Sequence, residues 1–284
     1  MTTRSIRQVL DSRPTSDGAG VKIRRTVGIG QHDMDPFLML DEIRSDSREE
    51  FVGGFPSHPH RGIQTLTLLL EGGFEHQDHL GHRAAVRPGG AQWMSAGRGV
   101  IHSEMPLPDA GRLHGFQLWV NLPAADKLGP PQYRQVEAAE VPVVALPGGE
   151  LRLLAGRYAR RSGPLDAMAC EAGVFDLRLE PDAAFHWDAD PEHRVFVRPY
   201  RGNVVLATRA GEELALEAGR MAVLGGDGPV ELAAGPAGAG LLVLSGRPLG
   251  EPIAQYGPFV MNTPEEIRQA IRDYQSGALI EPAA

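Results

Sequence analysis

The feature that most constrains this chain is a series of short apolar or alternating segments, each ended within a few residues by glycine, proline, asparagine or aspartate. Such segments are typical of β-strands, whose side chains point alternately to two faces. The 284 residues include 35 glycines and 23 prolines, which suit tight turns between strands. Many short, closely spaced strands predict an all-β protein built from antiparallel barrels or sandwiches. The segments lie at residues 65–70, 115–122, 151–156, 195–199, 204–208 and 240–246.

One stretch near the C-terminus, residues 262–277, has a different pattern. Thr263 and Glu266 have the spacing of a capping box, and Pro264 suits the first helical position. Gly277 is typical of a helix end. We therefore predict a short C-terminal α-helix over about 264–276, with an apolar stripe that packs on the core. The stripe consists of Ile267, Ala270, Ile271 and Tyr274.

A proline-rich segment at residues 123–140 separates two blocks of similar pattern. In both blocks a glycine turn, at Gly89 and at Gly219, leads into an apolar strand-like segment. This internal repeat predicts a duplicated β-domain. We expect an N-terminal domain over residues 1–130 and a C-terminal domain over residues 141–284, which ends in the predicted helix.

Composition argues against several classes of protein. The 28 basic and 36 acidic residues give a net charge of −8, and an acidic surface repels phosphate backbones, so we expect no direct nucleic-acid binding. Cys170 is the only cysteine, which excludes an intramolecular disulfide and zinc sites with several cysteines. The sequence has no apolar run of the length that spans a membrane and no apolar segment typical of a signal peptide. We therefore expect a cytoplasmic protein without a membrane partner.

Two short motifs offer metal ligands, His58-Pro59-His60 and His102-Ser103-Glu104. Residues two apart on a strand point to the same face, so each motif projects two donors together. If the two segments lie side by side in one barrel, three imidazoles and one carboxylate converge. Such a set leaves one or two positions open on an octahedral ion, as a catalytic or ligand-binding metal requires.

The internal repeat indicates that only one of the two domains carries the metal ligands. In its register, His102 and Glu104 align near Leu232 and Ala234, which cannot bind a metal. We therefore expect one transition-metal ion per chain, bound in the N-terminal domain.

The histidines also have plainer explanations. A His-x-His sequence occurs in ordinary loops, and a structural zinc site is a further alternative, although such sites usually use cysteine. Cys170 lies in an apolar run and is interpreted as a packing residue. Among the other histidines, we expect a solvated hairpin at His76, His79 and His82, a packed barrel histidine at His114, and surface positions at His186 and His193.

Longer motifs are spread over nearly the whole chain. They are FPSHPHRG (55–62), LEGGFEHQDHLGH (70–82), RPGGAQWMSAGRGVIHSEMP (87–106), GFQLWVNLP (115–123) and GPFVMNTPEEIRQAIRDYQSG (257–277). This combination resembles the pirin family of the cupin superfamily. The resemblance implies two jelly-roll-like cupin β-barrels in tandem, with one metal ion in the N-terminal barrel.

The family's ligand positions fall on His58, His60, His102 and Glu104. The metal is usually iron, so Fe(II) is expected, although other divalent metals suit the same donors. At Gln64 many relatives carry a glutamate, and glutamine cannot act as a carboxylate base. In an unbroken strand Gln64 and His58 would face the same pocket, so Gln64 and Glu104 are the candidate catalytic residues.

The resemblance implies two alternative functions. The first is a quercetin 2,3-dioxygenase-type oxygenase, whose open metal site binds a small aromatic, flavonol-like substrate and uses O₂. The second is a non-enzymatic, iron-dependent regulator that binds a transcription factor or a metabolic enzyme.

Overall fold

The alternating segments form β-strands in the computed structural model, which describes residues 3–28, 30 and 32–280. Within these residues the chain is mostly β-sheet with one α-helix near the C-terminus, which confirms the predicted fold class. The first twelve strands are β1 Ser5–Asp11, β2 Arg13–Asp17, β3 Val21–Val27, β4 Phe37–Ser45, β5 Phe55–His60, β6 Ile63–Glu71, β7 Phe74–Asp78, β8 Arg83–Val86, β9 Ala91–Ser95, β10 Val100–Pro106, β11 Leu113–Asn121 and β12 Gln132–Val136.

The second half of the chain continues the pattern and ends in the helix. Its strands are β13 Val143–Leu146, β14 Gly149–Ala155, β15 Arg157–Tyr158, β16 Arg161–Ser162, β17 Gly173–Leu179, β18 Ala184–Trp187, β19 Arg194–Ala207, β20 Glu213–Glu217, β21 Arg220–Gly225, β22 Val230–Gly246, β23 Ala254–Tyr256 and β24 Phe259–Met261. The helix, α1, is Pro264–Ser276, and short 3₁₀ turns lie at Arg48–Glu50, Ala124–Asp126, Ala138–Glu140, Ala169–Glu171 and Ala278–Ile280.

Contacts divide the chain into two compact units, each built from more than one segment. The first unit, which carries the predicted metal ligands, comprises Pro14–Arg25, Phe37–Ala139 and Leu249–Ala284. The second unit comprises Met1–Arg13, Thr26–Pro36 and Glu140–Pro248.

This division differs from two consecutive domains at residues 1–130 and 141–284. Strand β1 is hydrogen-bonded to β21 and so belongs to the sheet of the second unit. Helix α1 belongs to the first unit, although it lies at the C-terminal end of the chain. Sheet pairing and helix packing, rather than position along the sequence, therefore decide which unit a segment joins.

The first unit contains two larger sheets. One has seven strands in the order β12-β9-β6-β11-β4-β3-β2, and the other has four in the order β5-β10-β7-β8. Apolar side chains that include Phe51, Phe55 and Phe74 form one buried cluster of this unit. A second cluster contains Met39, Met94 and other residues close to the predicted site. Each large apolar side chain that is fully buried contributes about 1.5–3 kcal/mol, so these clusters are the main source of the unit's stability.

The second unit is built on one nine-stranded sheet. Its strand order is β1-β21-β19-β22-β17-β14-β13, with β18 paired to β22 and β20 paired to β19. An apolar cluster that includes Phe175, Phe185 and Trp187 lies in its interior. Neighbouring strands of this unit supply the alternating inward residues predicted from the sequence.

Helix α1 has the predicted bounds and caps. Thr263 and Glu266 form the capping box, and Gly277 ends the helix in the left-handed conformation at a φ of 87°. Ile267 and Ala270 are buried against β24, which confirms that this part of the apolar stripe packs on the core, whereas Tyr274 is 42% exposed. Within the described residues, no helix combines the length and apolar character needed to cross a membrane.

Candidate metal centre

Three histidines meet on the four-stranded sheet of the first unit. Strands β5 and β10 are antiparallel, with His102 opposite His58 and Val100 opposite His60. The ring centroids are 4.9 Å apart for His58 and His60, 4.4 Å for His58 and His102, and 5.0 Å for His60 and His102. The structure thus brings together three of the four predicted ligands.

The spacing of the ring nitrogens fits a shared metal ion. One ligand nitrogen of each ring lies within 4.8 Å of the other two, and the Nε2 atoms of His58 and His60 are 3.1 Å apart. Two nitrogens at about 2.1 Å from one ion and at right angles are about 3.0 Å apart. Nε2 of His102 is buried without a hydrogen-bond partner in the described part of the chain. An ion at this point would satisfy that buried polar atom.

Burial keeps these rings in the form that binds metals. His60 and His102 are each 2% exposed. Burial, assisted by the neighbouring His58, lowers the pKa of His60 to about 3. Burial also holds the pKa of His102 well below its usual range, with His60 and His58 adding to the effect. Both imidazoles are therefore neutral near neutral pH, as a metal ligand must be.

Glu104, the fourth predicted ligand, lies on β10 outside the group of three histidines. It is 1% exposed, and donors from the seven-stranded sheet hold its carboxylate. Thr67 Oγ1 donates to Oε1 at 3.0 Å, and Gln92 Nε2 donates to the same oxygen. Gln117 Nε2 donates to Oε2 at 2.6 Å. These bonds compensate the burial of a charge, and a direct bond from Glu104 to a metal stays a prediction.

Strand register explains why these donors reach one carboxylate. Gln117 on β11 is opposite Thr67 on β6, and Thr67 is opposite Gln92 on β9, so the three form one row across the sheet. Two residues along β11, Trp119 points to the same face. Its ring contacts that of His60 edge to face, with centroids 5.2 Å apart. One face of this sheet therefore presents a polar row to Glu104 and an aromatic side chain to the histidines.

Two buried side chains of β7 support His102. His76 Nδ1 lies 3.4 Å from His102 Nδ1, and His76 Nε2 lies 3.3 Å from Asp78 Oδ2. Burial opposes ionisation of Asp78, but hydrogen bonds from His82 and His76 hold its pKa below the usual range. An ionised carboxylate only accepts, so His76 Nε2 donates to Asp78 and His76 Nδ1 accepts from His102 Nδ1. This chain places the proton of His102 on Nδ1 and leaves Nε2 for a metal.

The expectation of a solvated hairpin at these histidines is wrong for His76. Its side chain is completely buried and stacks on Tyr133, with ring centroids 4.4 Å apart. Asp78 is also buried, whereas His82 is 43% exposed. The signal in the sequence was the His76-x-Asp78 spacing, which equals the same-face spacing of the two metal motifs. The spacing alone did not show that other residues, among them Tyr133, bury this face of β7.

Gln64 does not lie where an unbroken strand would place it. Strand β5 ends at His60 and β6 begins at Ile63, so the alternation from His58 is interrupted. Along β6, Gln64 alternates with Thr65 and Thr67, and Thr67 points to Glu104. Gln64 is buried on the opposite face of the sheet, with Val120 as its partner on β11. The premise for Gln64 as a candidate catalytic residue, a strand face shared with His58, is therefore wrong.

A cavity of about 810 Å³ adjoins His58 and His60. Apolar side chains, among them Met39 and Trp119, form much of its wall, and Gln117 connects it to the carboxylate of Glu104. The cavity has the size and the largely apolar lining typical of a small-molecule site, with a few polar groups that can orient a ligand.

The turn after His60 is anchored to distant parts of the first unit. Arg61 is 6% exposed and donates to Asp273 of α1 at 2.6 Å. The buried ammonium of Lys127 donates to the carbonyl of Gly62 at 2.8 Å. Charged hydrogen bonds of this kind hold the end of β5, and thereby His60, in a fixed position.

Comparison with known proteins agrees with the geometry of the site. The profile of the pirin family matches residues 20–120, and that of the pirin C-terminal cupin domain matches residues 174–280. A protein of Pseudomonas aeruginosa is 44% identical over 97% of this chain and 98% of its own length. The chain belongs to the pirin family.

Relatives of this pirin carry two kinds of name. The Pseudomonas protein is provisionally named a quercetin 2,3-dioxygenase. Human pirin is 36% identical over 93% of this chain and 90% of its own length. A crystal structure described as quercetin 2,3-dioxygenase from Acinetobacter baumannii is 31% identical, with a TM-score of 0.89 and 99% of each chain covered. This pirin therefore consists of two cupin domains.

The second unit of this pirin repeats the strand register of the first with different side chains. Phe185 on β18 is opposite Leu232 on β22, as His58 is opposite His102 in the first unit. Trp187 takes the position equivalent to His60, opposite the first residue of β22. These three replacements lie in the apolar core of the second unit. Apolar packing thus occupies the position that corresponds to the three-histidine group.

Proposed function

We propose that the first unit of this pirin binds one Fe(II) ion through His58, His60 and His102, and that it oxidises a flavonol-like aromatic substrate with O₂. The observation that carries the proposal is the convergence of three histidines beside a cavity of about 810 Å³. Imidazole ligands with open positions suit Fe(II), although other divalent metals have affinity for the same donors. Glu104 is proposed as the fourth ligand.

When bound, the ion supplies Lewis acidity toward a substrate hydroxyl. The protein supplies the remaining conditions. Asp78 and His76 orient His102, and the burial of His60 and His102 keeps protons from competing for their nitrogens. The aromatic wall at Trp119 offers a flat apolar surface for a planar ring.

Glu104 offers a buried carboxylate for proton transfer in this site. Three donors hold its carboxylate in place, and one of them, the amide of Gln117, also lines the cavity. A substrate hydroxyl that approaches Gln117 would come within reach of Glu104 directly or through one water. We therefore propose Glu104, and not Gln64, as the proton acceptor.

Two relatives with dioxygenase names support an enzymatic function, and the relatives named pirin leave the regulatory alternative open. The two functions make different demands on the cavity. An oxygenase requires that a planar aromatic molecule enters beside the histidines, whereas a regulator requires only that the ion changes a surface that a partner protein contacts.

The test is an anaerobic reconstitution with Fe(II), followed by addition of quercetin and air-saturated buffer. We expect oxygen uptake that depends on the flavonol, together with loss of flavonol absorbance. His102→Ala should abolish both signals, because it removes one ligand. His186→Ala, an exposed histidine of the second unit, is the matched control and should behave as the parent protein.

A protein that holds one iron ion per chain in the first unit but shows no flavonol-dependent oxygen uptake would contradict the oxygenase. Iron-dependent association with a protein partner would then be the better explanation of the site. Absence of iron after reconstitution would contradict the proposed metal itself.

A further inference from the structure

A second group of metal-binding side chains lies in the second unit, outside the positions equivalent to the three histidines. His193, Asp190 and Glu171 each place one ligand atom within 4.8 Å of the other two. His193 and Asp190 belong to the loop between β18 and β19, and Glu171 belongs to the 3₁₀ turn before β17. None of the three was a candidate ligand from the sequence, and His193 was expected at the surface.

His193 is buried instead, and its ring is incompletely satisfied. Its side chain is 9% exposed, and its Nε2 atom has no hydrogen-bond partner among the residues that the structure describes. The Oε2 atom of Glu171 lies 3.7 Å from this nitrogen, which is too far for a hydrogen bond. Two ligand atoms at about 2.1 Å from a tetrahedral ion are about 3.4 Å apart. The gap is therefore close to the spacing of two ligands of one ion.

The backbone of the loop is held by a buried arginine. Arg4 is 2% exposed and donates to the carbonyl of Asp190 at 2.7 Å and to that of His193 at 2.8 Å. The backbone N–H of His193 donates to the carbonyl of Asp190 at 3.0 Å. These contacts fix the distance between the two residues before any ligand arrives, which reduces the entropic cost of binding.

Glu171 is oriented from its other side. Arg247 Nε donates to Oε1 at 3.1 Å, which leaves Oε2 directed toward His193. Both Glu171 and Cys170 adopt positive φ, 51° and 60° respectively. This conformation is unfavourable for residues other than glycine, so the turn is held by its surroundings.

The group borders a cavity of about 690 Å³. Two further carboxylates, Asp166 and Asp188, line the same cavity, and its other walls include Phe175 and Trp187. An excess of carboxylates attracts a cation and disfavours an anionic ligand. The cavity also leaves space for water or a small molecule next to an ion.

We propose that His193, Asp190 and Glu171 form a second site for a divalent transition metal of the zinc type, with its remaining coordination directed into this cavity. One imidazole and two carboxylates are suitable zinc ligands, and three protein ligands leave a position open. The site lies on the loop that follows Trp187, whereas the position equivalent to the first centre is filled by apolar side chains. The expected stoichiometry is therefore two ions per chain rather than one.

The test is equilibrium dialysis of the full chain against Zn²⁺, with metal content measured by mass spectrometry. The variant His102→Ala removes a ligand of the first centre and should still hold one zinc ion. Adding His193→Ala should remove that ion or weaken its binding by at least ~10-fold. Glu171→Gln should also weaken it, and because this side chain is 62% exposed the substitution is compatible with folding.

His186→Ala is the matched control, since His186 also has two carboxylates nearby. Asp188 lies 3.3 Å from its Nε2 and Glu231 lies 3.4 Å from its Nδ1, so the two carboxylates face different ring nitrogens and cannot share one ion with it. Zinc binding should be unchanged in this variant. The proposal would be overturned if His102→Ala itself held no zinc. It would also be overturned if adding Glu171→Gln or His193→Ala to folded His102→Ala protein left the zinc content unchanged.

Discussion

Replacing Asp78 by asparagine tests whether the hydrogen bonds of β7 orient His102 in the candidate metal centre. Asp78 Oδ2 accepts from His76 and from His82, and Oδ1 accepts from the backbone N–H groups of Leu80 and His82 at 2.9 and 3.1 Å. In Asp78→Asn the amide oxygen can keep the two backbone bonds. The amide nitrogen then faces His76 and donates where a carboxylate accepted.

This substitution reverses the direction of the hydrogen bonds that lead from position 78 through His76 to His102 and the proposed metal. His76 Nε2 becomes an acceptor, so its proton moves to Nδ1 and faces His102 Nδ1. His102 must then accept at Nδ1 and carry its own proton on Nε2, the nitrogen that faces the other two histidines. Loss of a group that orients a metal ligand typically weakens metal binding 10–100-fold, or about 1.4–2.7 kcal/mol. We expect a loss of Fe(II) affinity in this range.

Stability should fall as well. The bond from His76 to Asp78 is fully buried, and a buried hydrogen bond to a charged group contributes about 1.5–3 kcal/mol. The bond from His82 adds less, because His82 is 43% exposed and water screens it. Affinity is measured by anaerobic calorimetric titration with Fe(II) in a His193→Ala background, and the free energy of unfolding by urea titration.

Asp176→Asn provides the matched control. Asp176 is equally buried, but it accepts from Tyr200 at 2.6 Å within the second unit. This variant should lose stability and keep the Fe(II) affinity of the parent protein. A folded Asp78→Asn protein whose Fe(II) affinity is within twofold of the parent's would refute the proposed orientation of His102.

Three further predictions concern the same unit. His102→Ala should abolish tight Fe(II) binding and keep the β-sheet circular dichroism spectrum, since apolar clusters hold the unit together; an unfolded variant would show that the metal is structural. Gln117→Leu removes the amide that donates to Glu104 Oε2, so it should lower the free energy of unfolding by about 1–3 kcal/mol in urea titrations. The control Gln255→Leu, at an exposed position of the same cavity, should change this free energy by less than about 0.5 kcal/mol. Equal effects of the two substitutions would argue against the role of the Gln117 amide. Gln64→Glu should not raise flavonol turnover at equal iron occupancy, because position 64 faces away from Glu104; a gain of the ~10²–10⁴-fold size typical of a general base would restore Gln64 to the site.

Local pattern was sufficient for much of the first unit. The pairs His58/His60 and His102/Glu104 could be assigned to common strand faces because alternation is a property of each strand by itself. The helix could be located from Thr263 and its following residues, since caps act over one turn. The sequence also predicted that the second half lacks equivalents of the first-half ligands His102 and Glu104, and strand register places Phe185 and Leu232 at the positions equivalent to His58 and His102.

Other features depended on which strands become neighbours. Gln64 was misplaced because the break between β5 and β6 shifts its side chain to the other face, and nothing in the local sequence gives the length of that break. His76 became a support for the centre only because β7 pairs with β10 and Tyr133 covers its ring. Likewise, His193 lies in a turn-rich segment that resembles a surface loop, and Arg4, from the far end of the chain, holds the backbone of that segment in place.

The sequence alone therefore determined the fold class, the helix and the face on which each pair of predicted ligands lies. The tertiary structure decided how deeply each side chain is buried and which partner it meets. The physical reason is that alternation and capping arise from interactions over a few residues. Burial, hydrogen-bond satisfaction and pKa, by contrast, depend on contacts such as Glu104 with Thr67 or Arg4 with His193, which join residues far apart in the chain.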